Sequence, residues 1–342
     1  ADDKLVDNVK YSVFNITGTG TAVEKVKKVI TILNENADRY SYIEVDYNSF
    51  SKINYLRGAI YDESGNLIKT LGSLNVTDGS IISAAAFYSD DRVKRLVPEK
   101  YKYPYTFEYE YEREYSGLMF YPSWKFQPDY GISVERSGIQ IIVPDGIDFK
   151  FYSRNLINVV DTVVQNGKRI YTWQEENKKA IKQNLYKESI FPVLFTAPTR
   201  FEIGGFKGSM DSWSDFGKWN YDLIKGQEAL SSDEASLIKG LVKDITDTKS
   251  QIKILYEYMQ SRTRYVLAYI GIGAWRPASA ESISSNGYGD CKGLANYMKA
   301  ILKIADIESF YTLISAGEKR GMNTNFVTAE AFNHVILCIP VK

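Results

Sequence analysis

Along roughly the first two hundred residues, apolar and polar positions trade places one by one, the period of a strand. Val9-Lys10-Tyr11-Ser12-Val13-Phe14 alternates in this way. The clearest run is Tyr101 to Tyr111, where Tyr101, Tyr103, Tyr105, Phe107, Tyr109 and Tyr111 hold one parity and Lys102, Pro104, Thr106, Glu108 and Glu110 the other. One face of that strand is aromatic and the other polar. The aromatic face either packs on a second sheet or offers a stacking surface for a glycan or a partner protein. Pro104 argues for an edge or a bulge. Asp62-Glu63-Ser64-Gly65-Asn66 separates two apolar runs and reads as a hairpin connection, and Asn166-Gly167 between β-formers is the strongest short hairpin signal. Ala22 to Leu33 is the one candidate for a short helix among these strands, but it is ambiguous, because Val23, Val26, Val29 and Ile30 have mixed spacing. Short strands punctuated by turns predict an all-β antiparallel sandwich over 1–205.

Near residue 205 the period changes. Trp213, Phe216, Trp219 and Leu223 have helical spacing, and Lys225-Gly226-Gln227-Glu228 reads as a link. Ser231 with Glu234 has the form of a capping box. Asp247 opens a further helix with Ile252, Leu255, Tyr256 and Met259 on one face. Tyr265 to Ile270 is extended, and Gly271 to Gly289 is a loop rich in Gly, Ser and Pro. Leu294, Tyr297, Met298, Ile301 and Leu302 then form one apolar helical stripe. Ser309–Ile314 reads as a strand, Ala316–Thr328 as a polar loop, and the β-branched run around His334 as a last strand. The second domain is therefore 206–342.

Cys291 stands at the start of that striped helix, behind Asp290, a good N-cap. In the first helical turn, unpaired N–H groups and the helix dipole favour an anionic sulfur. The plain alternative is a small buried apolar residue. His334 is the chain's single histidine, so if Cys291 uses an imidazole base, only His334 can supply it. Lys292 either lends positive potential to the thiol or is a solvated surface residue. Asn333, on the opposite strand face from His334, reads as an amide bonded to backbone. Cys338 shares parity with His334 and reads as a core thiol.

Gly289-Asp290-Cys291-Lys292 resembles the Gly-Asp-Cys-Lys nucleophile motif of the transglutaminase-like superfamily of papain-type cysteine enzymes. Arg264-Tyr265-Val266, Gly273 and Arg276-Pro277 resemble the segment preceding that motif in bacterial members, and Phe332-Asn333-His334 their Phe-Asn-His motif. This resemblance spans about 230–342. It implies an α+β transglutaminase-like fold and acyl transfer, with Cys291 as nucleophile and His334 as base, on a protein or peptide substrate. The thioester would resolve with water or with an amine. In this superfamily an Asp on the next strand usually orients the imidazole. No Asp or Glu lies between His334 and Lys342. The domain therefore reads as incomplete at its C-terminal end, with weak activity expected from the chain as given. Asn166-Gly167, Trp173, Asn177, Ala180, Phe191-Pro192 and Ala197-Pro198 resemble a bacterial β-sandwich domain of unknown function that commonly precedes transglutaminase-like domains.

Composition adds bounds. A chain of 342 residues that is 44% hydrophobic can build two cores. Balanced charge, 42 basic against 42 acidic residues, gives no field for nucleic acid. No apolar run reaches the ~20 residues of a membrane helix. The start at Ala1-Asp2-Asp3 without methionine suggests a trimmed form, and the abundance of tyrosine leans toward an exported, periplasmic or cell-surface protein. One histidine and two cysteines do not assemble a zinc site, and no phosphate loop or dinucleotide fingerprint occurs, so no metal or cofactor is expected. The competing reading is an inactive transglutaminase-like protein that binds protein or glycan.

Overall fold

In a computed structural model the chain is described over residues 4–81, 86–156, 160–182, 190–317 and 323–340, with side chains at 86–88 also left out. It is mostly β with a few helices, and it divides into two compact units. One comprises Ala1–Ile81 with Asp91–Met210, the other Ile82–Asp90 with Asp211–Lys342.

The first unit is built on an eight-stranded sheet. In spatial order its strands are Asp161–Gln165, Lys168–Lys178, Ile132–Pro144, Leu5–Gly18, Thr21–Ile32, Tyr105–Tyr115, Ser51–Tyr61 and Leu67–Leu71. Two three-stranded sheets accompany it: Ile43–Tyr47, Arg92–Leu96 and Val76–Ser80; and Trp124–Lys125, Val193–Pro198 and Phe149–Arg154. Val45 and Leu96 pack with Ile60 and Phe107 in one core, and Trp124 and Leu194 with Phe14, Ile141 and Trp173 in another. The smaller sheets thus cover one face of the large one, as a sandwich requires.

Two sequence expectations need correction. The sheet is not antiparallel throughout, because Leu5–Gly18 runs parallel to Ile132–Pro144; the long stretch between these strands supplies the crossover that a parallel pair needs. The ambiguous segment is a strand, Thr21–Ile32. Its inward face includes Glu24 and Lys28, both buried, and these charges disguised the alternation. Glu24 pairs with Arg113 at 2.6 Å and Lys28 with Asp7 at 3.7 Å.

The aromatic face is core. Tyr105, Phe107 and Tyr109 are buried in the first cluster, and Tyr101, Tyr103 and Tyr111 pack against it. Both hairpins form as the turn residues suggest. Asp62 Oδ1 accepts from Ser64 N–H and Asn66 N–H, and Asn166-Gly167 adopts positive φ at both positions, as a two-residue turn between twisted strands requires.

The second unit carries five α-helices among the described residues: α1 (Trp213–Ile224), α2 (Ser232–Val242), α3 (Thr248–Arg262), α4 (Ala280–Asn286) and α5 (Cys291–Ile304). Helix α4 falls inside the stretch read as loop; Ser279 caps it, and its Ser-rich composition hid it. Buried Ile238, Leu255, Met259, Ile283, Tyr297, Met298 and Ile301 join α2, α3, α4 and α5 in one core. Ser231 caps α2 by accepting from Glu234 N–H. The Glu234 carboxylate, however, serves elsewhere: it accepts from Tyr297 Oη, from Ser284 Oγ at 2.6 Å and from Tyr258 Oη at 3.4 Å. Residues 86–89 pair in parallel with Leu267–Tyr269. The strands Phe310–Ile314 and His334–Cys338 form an antiparallel pair that packs on α5. No helix among the described residues is long and apolar enough to cross a membrane.

Candidate active site at the N-terminus of α5

Helix α5 begins where its sequence says it should. Asp290 is the N-cap, with extended backbone and its Oδ1 accepting from Gly293 N–H at 2.9 Å. Its other oxygen pairs with Lys292 Nζ, and both side chains are buried. Lys292 lies over the Tyr269 ring, 4.5 Å from the centroid. The surface reading of Lys292 is therefore corrected: the lysine is enclosed and neutralised by its own N-cap neighbour. A charge so placed tolerates burial only because it is paired.

The glycines flanking Cys291 let α4 approach closely. A Cβ on Gly289 would come within 2.5 Å of Ile283 Cδ1, and one on Gly293 within 2.8 Å. Chain entry is fixed by a short parallel ladder that sets Arg264 beside Tyr288 and Tyr265 beside Gly289. Val266 N–H donates to Gly289 O at 2.9 Å. Farther along α5, Asn296 Nδ2 donates to Gln227 O at 2.7 Å and to Ala278 O at 3.3 Å, tying the helix to the α1–α2 link and the preceding loop.

Cys291 is the first residue of α5 and is 8% exposed; both cysteines are free thiols. Two phenols attend it. Tyr265, 55% exposed, is pushed up to about 12 by partial burial, then by the Cys291 charge and a hydrogen bond with that side chain, with Asp290 adding to it. Tyr311 on the Phe310–Ile314 strand has a buried hydroxyl without a hydrogen-bond partner among the described residues. Burial pushes it upward, and Cys291 and Asp290 push it further. Sequence reasoning missed both. Tyr265 lay within the quoted Arg264-Tyr265-Val266 run, but nothing in spacing marks Tyr311.

His334 opens the last strand, opposite Ile314. Ile307 N–H bonds back to Leu302 O at 2.9 Å, so the chain turns at the last turn of α5 and returns along it. The five-residue strand Phe310–Ile314 follows. Both strands of the pair pack on α5. Along the strand, Val335 is buried and Leu337 packs on the α5 core. Pleat alternation thus sends His334, Ile336 and Cys338 to the other face. Asn333 clasps Ala316 through both main-chain groups, donating to its carbonyl at 2.9 Å and accepting from its N–H at 2.7 Å. Cys338 is exposed, not a core thiol.

A cleft of about 390 Å³ opens beside the helix tip. Val266, Ile270, Arg276, Tyr288, Gly289 and Asp290 are among its walls. The arrangement offers a thiol at a helix start, two phenols and an adjoining apolar cleft.

Residues 18–182 match a family described as a domain of unknown function with a solved structure (DUF3857). No curated protein matches the chain. Among solved structures, the fold is similar to that of a "putative protease" from Parabacteroides distasonis, with TM-score 0.70 and 13% identity. The alignment covers 98% of this chain and 65% of that one, so this chain spans less than two thirds of that protein's length. At 13% identity the likeness is one of fold. An M1 zinc metallopeptidase from Deinococcus radiodurans aligns over 60% of this chain and 46% of its own at 9% identity, with TM-score 0.30, too low to carry an argument.

Proposed function

We propose that the second unit is a cysteine-dependent acyl-transfer centre, a peptidase or amidase of transglutaminase-like type, with Cys291 as nucleophile and His334 as its base. The observation that carries this reading is the place of Cys291, first residue of a helix capped by Asp290. In the reaction, the Cys291 sulfur attacks an amide carbonyl carbon and the carbonyl electron pair moves to oxygen. The Cys291 backbone N–H is one donor to that oxyanion. Collapse expels the amine, which takes its proton from His334, and leaves a thioester for water or a second amine. The fold similarity to a protein named as a protease supports a peptide substrate.

The role falls to His334 because it is the chain's single histidine and opens a strand that packs on the helix Cys291 begins. Selective alkylation tests the pair. Exposed Cys338 is first replaced by serine. Iodoacetamide at pH 7 is expected to modify Cys291 rapidly, and His334→Gln to slow this at least tenfold. Slow modification that His334→Gln leaves unchanged would leave Cys291 a packing residue and remove the enzyme reading.

A further inference from the structure

Helix α1 carries Trp213, Phe216 and Trp219 at successive intervals of three, so their rings fan over one side of the helix. Two of them grip Phe332. Phe216 lies parallel to that ring, with centroids 6.0 Å apart and planes 3° apart, and Trp213 meets it edge-on at 5.7 Å and 76°. Trp213 Nε1 also donates to Thr324 O at 2.7 Å, which ties the loop ahead of Phe332 to the same helix. The stripe holds Trp275 as well: Phe216 meets it at 6.1 Å and 87°, and Trp219 at 5.7 Å and 65°.

These contacts converge just ahead of the imidazole. His334 makes the terminal pair of a two-stranded sheet, opposite Ile314. Such a pair is weak by itself, and strand ends fray. Asn333, one residue earlier, is clasped by Ala316, and Phe332, two residues earlier, by the α1 rings. Phe332 is only half-buried, so the rings around it fix its direction more than they enlarge the core. We infer that Trp213 and Phe216 are positioning residues for His334, acting through Phe332, and that Trp275 joins the same clamp to the chain leading into Cys291. The inference rests on the acyl-transfer reading. A base must stay within hydrogen-bond reach of its thiol, and misplacement by about 1 Å can cost up to about 10²-fold.

The chain's single histidine makes the test direct. In the full chain, without a histidine tag and with labelled histidine, the imidazole gives one ring Cε1–H signal by NMR. Phe332→Leu keeps an apolar residue but removes the stack. It is expected to shift or broaden that signal. In the Cys338→Ser background it should slow Cys291 alkylation at pH 7 roughly fivefold, less than loss of the imidazole itself. It should also move the midpoint of the alkylation profile toward that of an ordinary thiol, about pH 8.5. Phe216→Leu should act in the same way, and Phe332→Tyr, which keeps the ring, should restore all three readouts. Exchange of the α5 amides should stay at the parent level, because neither Phe216 nor Phe332 belongs to the core cluster that holds α5. An unmoved histidine signal in both leucine variants would overturn the inference. So would slower alkylation with an unmoved pH midpoint and faster α5 exchange, the signature of a role in folding alone. Alkylation insensitive to His334→Gln would remove the acyl-transfer reading instead. The histidine signal would then decide the clamp by itself, so the two fail separately.

Discussion

The buried pair Asp290–Lys292 makes the sharpest test of how the α5 tip is held. Asp290→Asn keeps an oxygen to accept from Gly293 N–H, so the cap survives, but it leaves the Lys292 ammonium enclosed without its carboxylate, beside the Tyr269 ring. Breaking a buried pair in this way costs about 3–5 kcal/mol, because the remaining charge is uncompensated. The ring recovers part of that, about 1 kcal/mol, so a loss of about 3 kcal/mol is expected. Lys292→Met leaves a carboxylate that still accepts from Gly293 and faces the positive helix end, and about 2 kcal/mol is expected. The double variant carries no charge and retains the cap, and it should fall within about 1–2 kcal/mol of the parent. Whole-chain denaturation would mix the two compact units. Hydrogen exchange of the α5 amides reports the relevant one. Single losses that simply add in the double variant, or an Asp290→Asn loss under about 0.5 kcal/mol, would show that the two groups are not coupled as described.

Three further outcomes can be checked. Glu234→Gln weakens the acceptor shared by Tyr297, Ser284 and Tyr258, and should destabilise the helical unit by about 1–3 kcal/mol in the same exchange experiment; no change would mean the network is incidental. Gly289→Ala forces Ile283 to move, costing about 1–2 kcal/mol, and Ile283→Val should recover part of it. In the first unit, burial lowers Lys10 to about 7, with Lys28 adding to this and Asp7 opposing it. From about pH 7 up to the ordinary lysine value the unfolded chain holds a proton that the folded chain has lost, so stability rises with pH across that window. Lys10→Met should flatten that rise and add on the order of 1 kcal/mol near pH 7; melting curves from pH 6 to 10 with an unchanged slope would refute the assignment.

Much of the β architecture was legible because strand periodicity is local. Tyr105, Phe107 and Tyr109 point inward as their parity demands. The reading blurred at Thr21–Ile32 because Glu24 and Lys28 look solvent-facing until their partners on other strands are known. Lys292 misled for the same reason: a charge is read as exposed unless its neutralising neighbour is recognised. The helix start at Cys291 could be read from Asp290 and the apolar stripe. The phenols beside the thiol could not, because Tyr265 arrives through a two-residue parallel ladder and Tyr311 through the register of a hairpin. Such pairings are set by the tertiary fold and leave no periodic trace.

Residues 82–90, which leave the β-rich unit and join the helical one, set a limit on how this protein can be divided. The backbone passes between the units at three places, so a single protease cut cannot release either as an uninterrupted polypeptide. A fragment started at Asp211 would lack the strand that Leu267–Tyr269 pairs with, and with it the bracing of the tyrosine over Lys292. Domain transplantation or recombination of the helical part alone should accordingly yield a looser α5 tip, whereas grafts that carry the short excursion along should keep it.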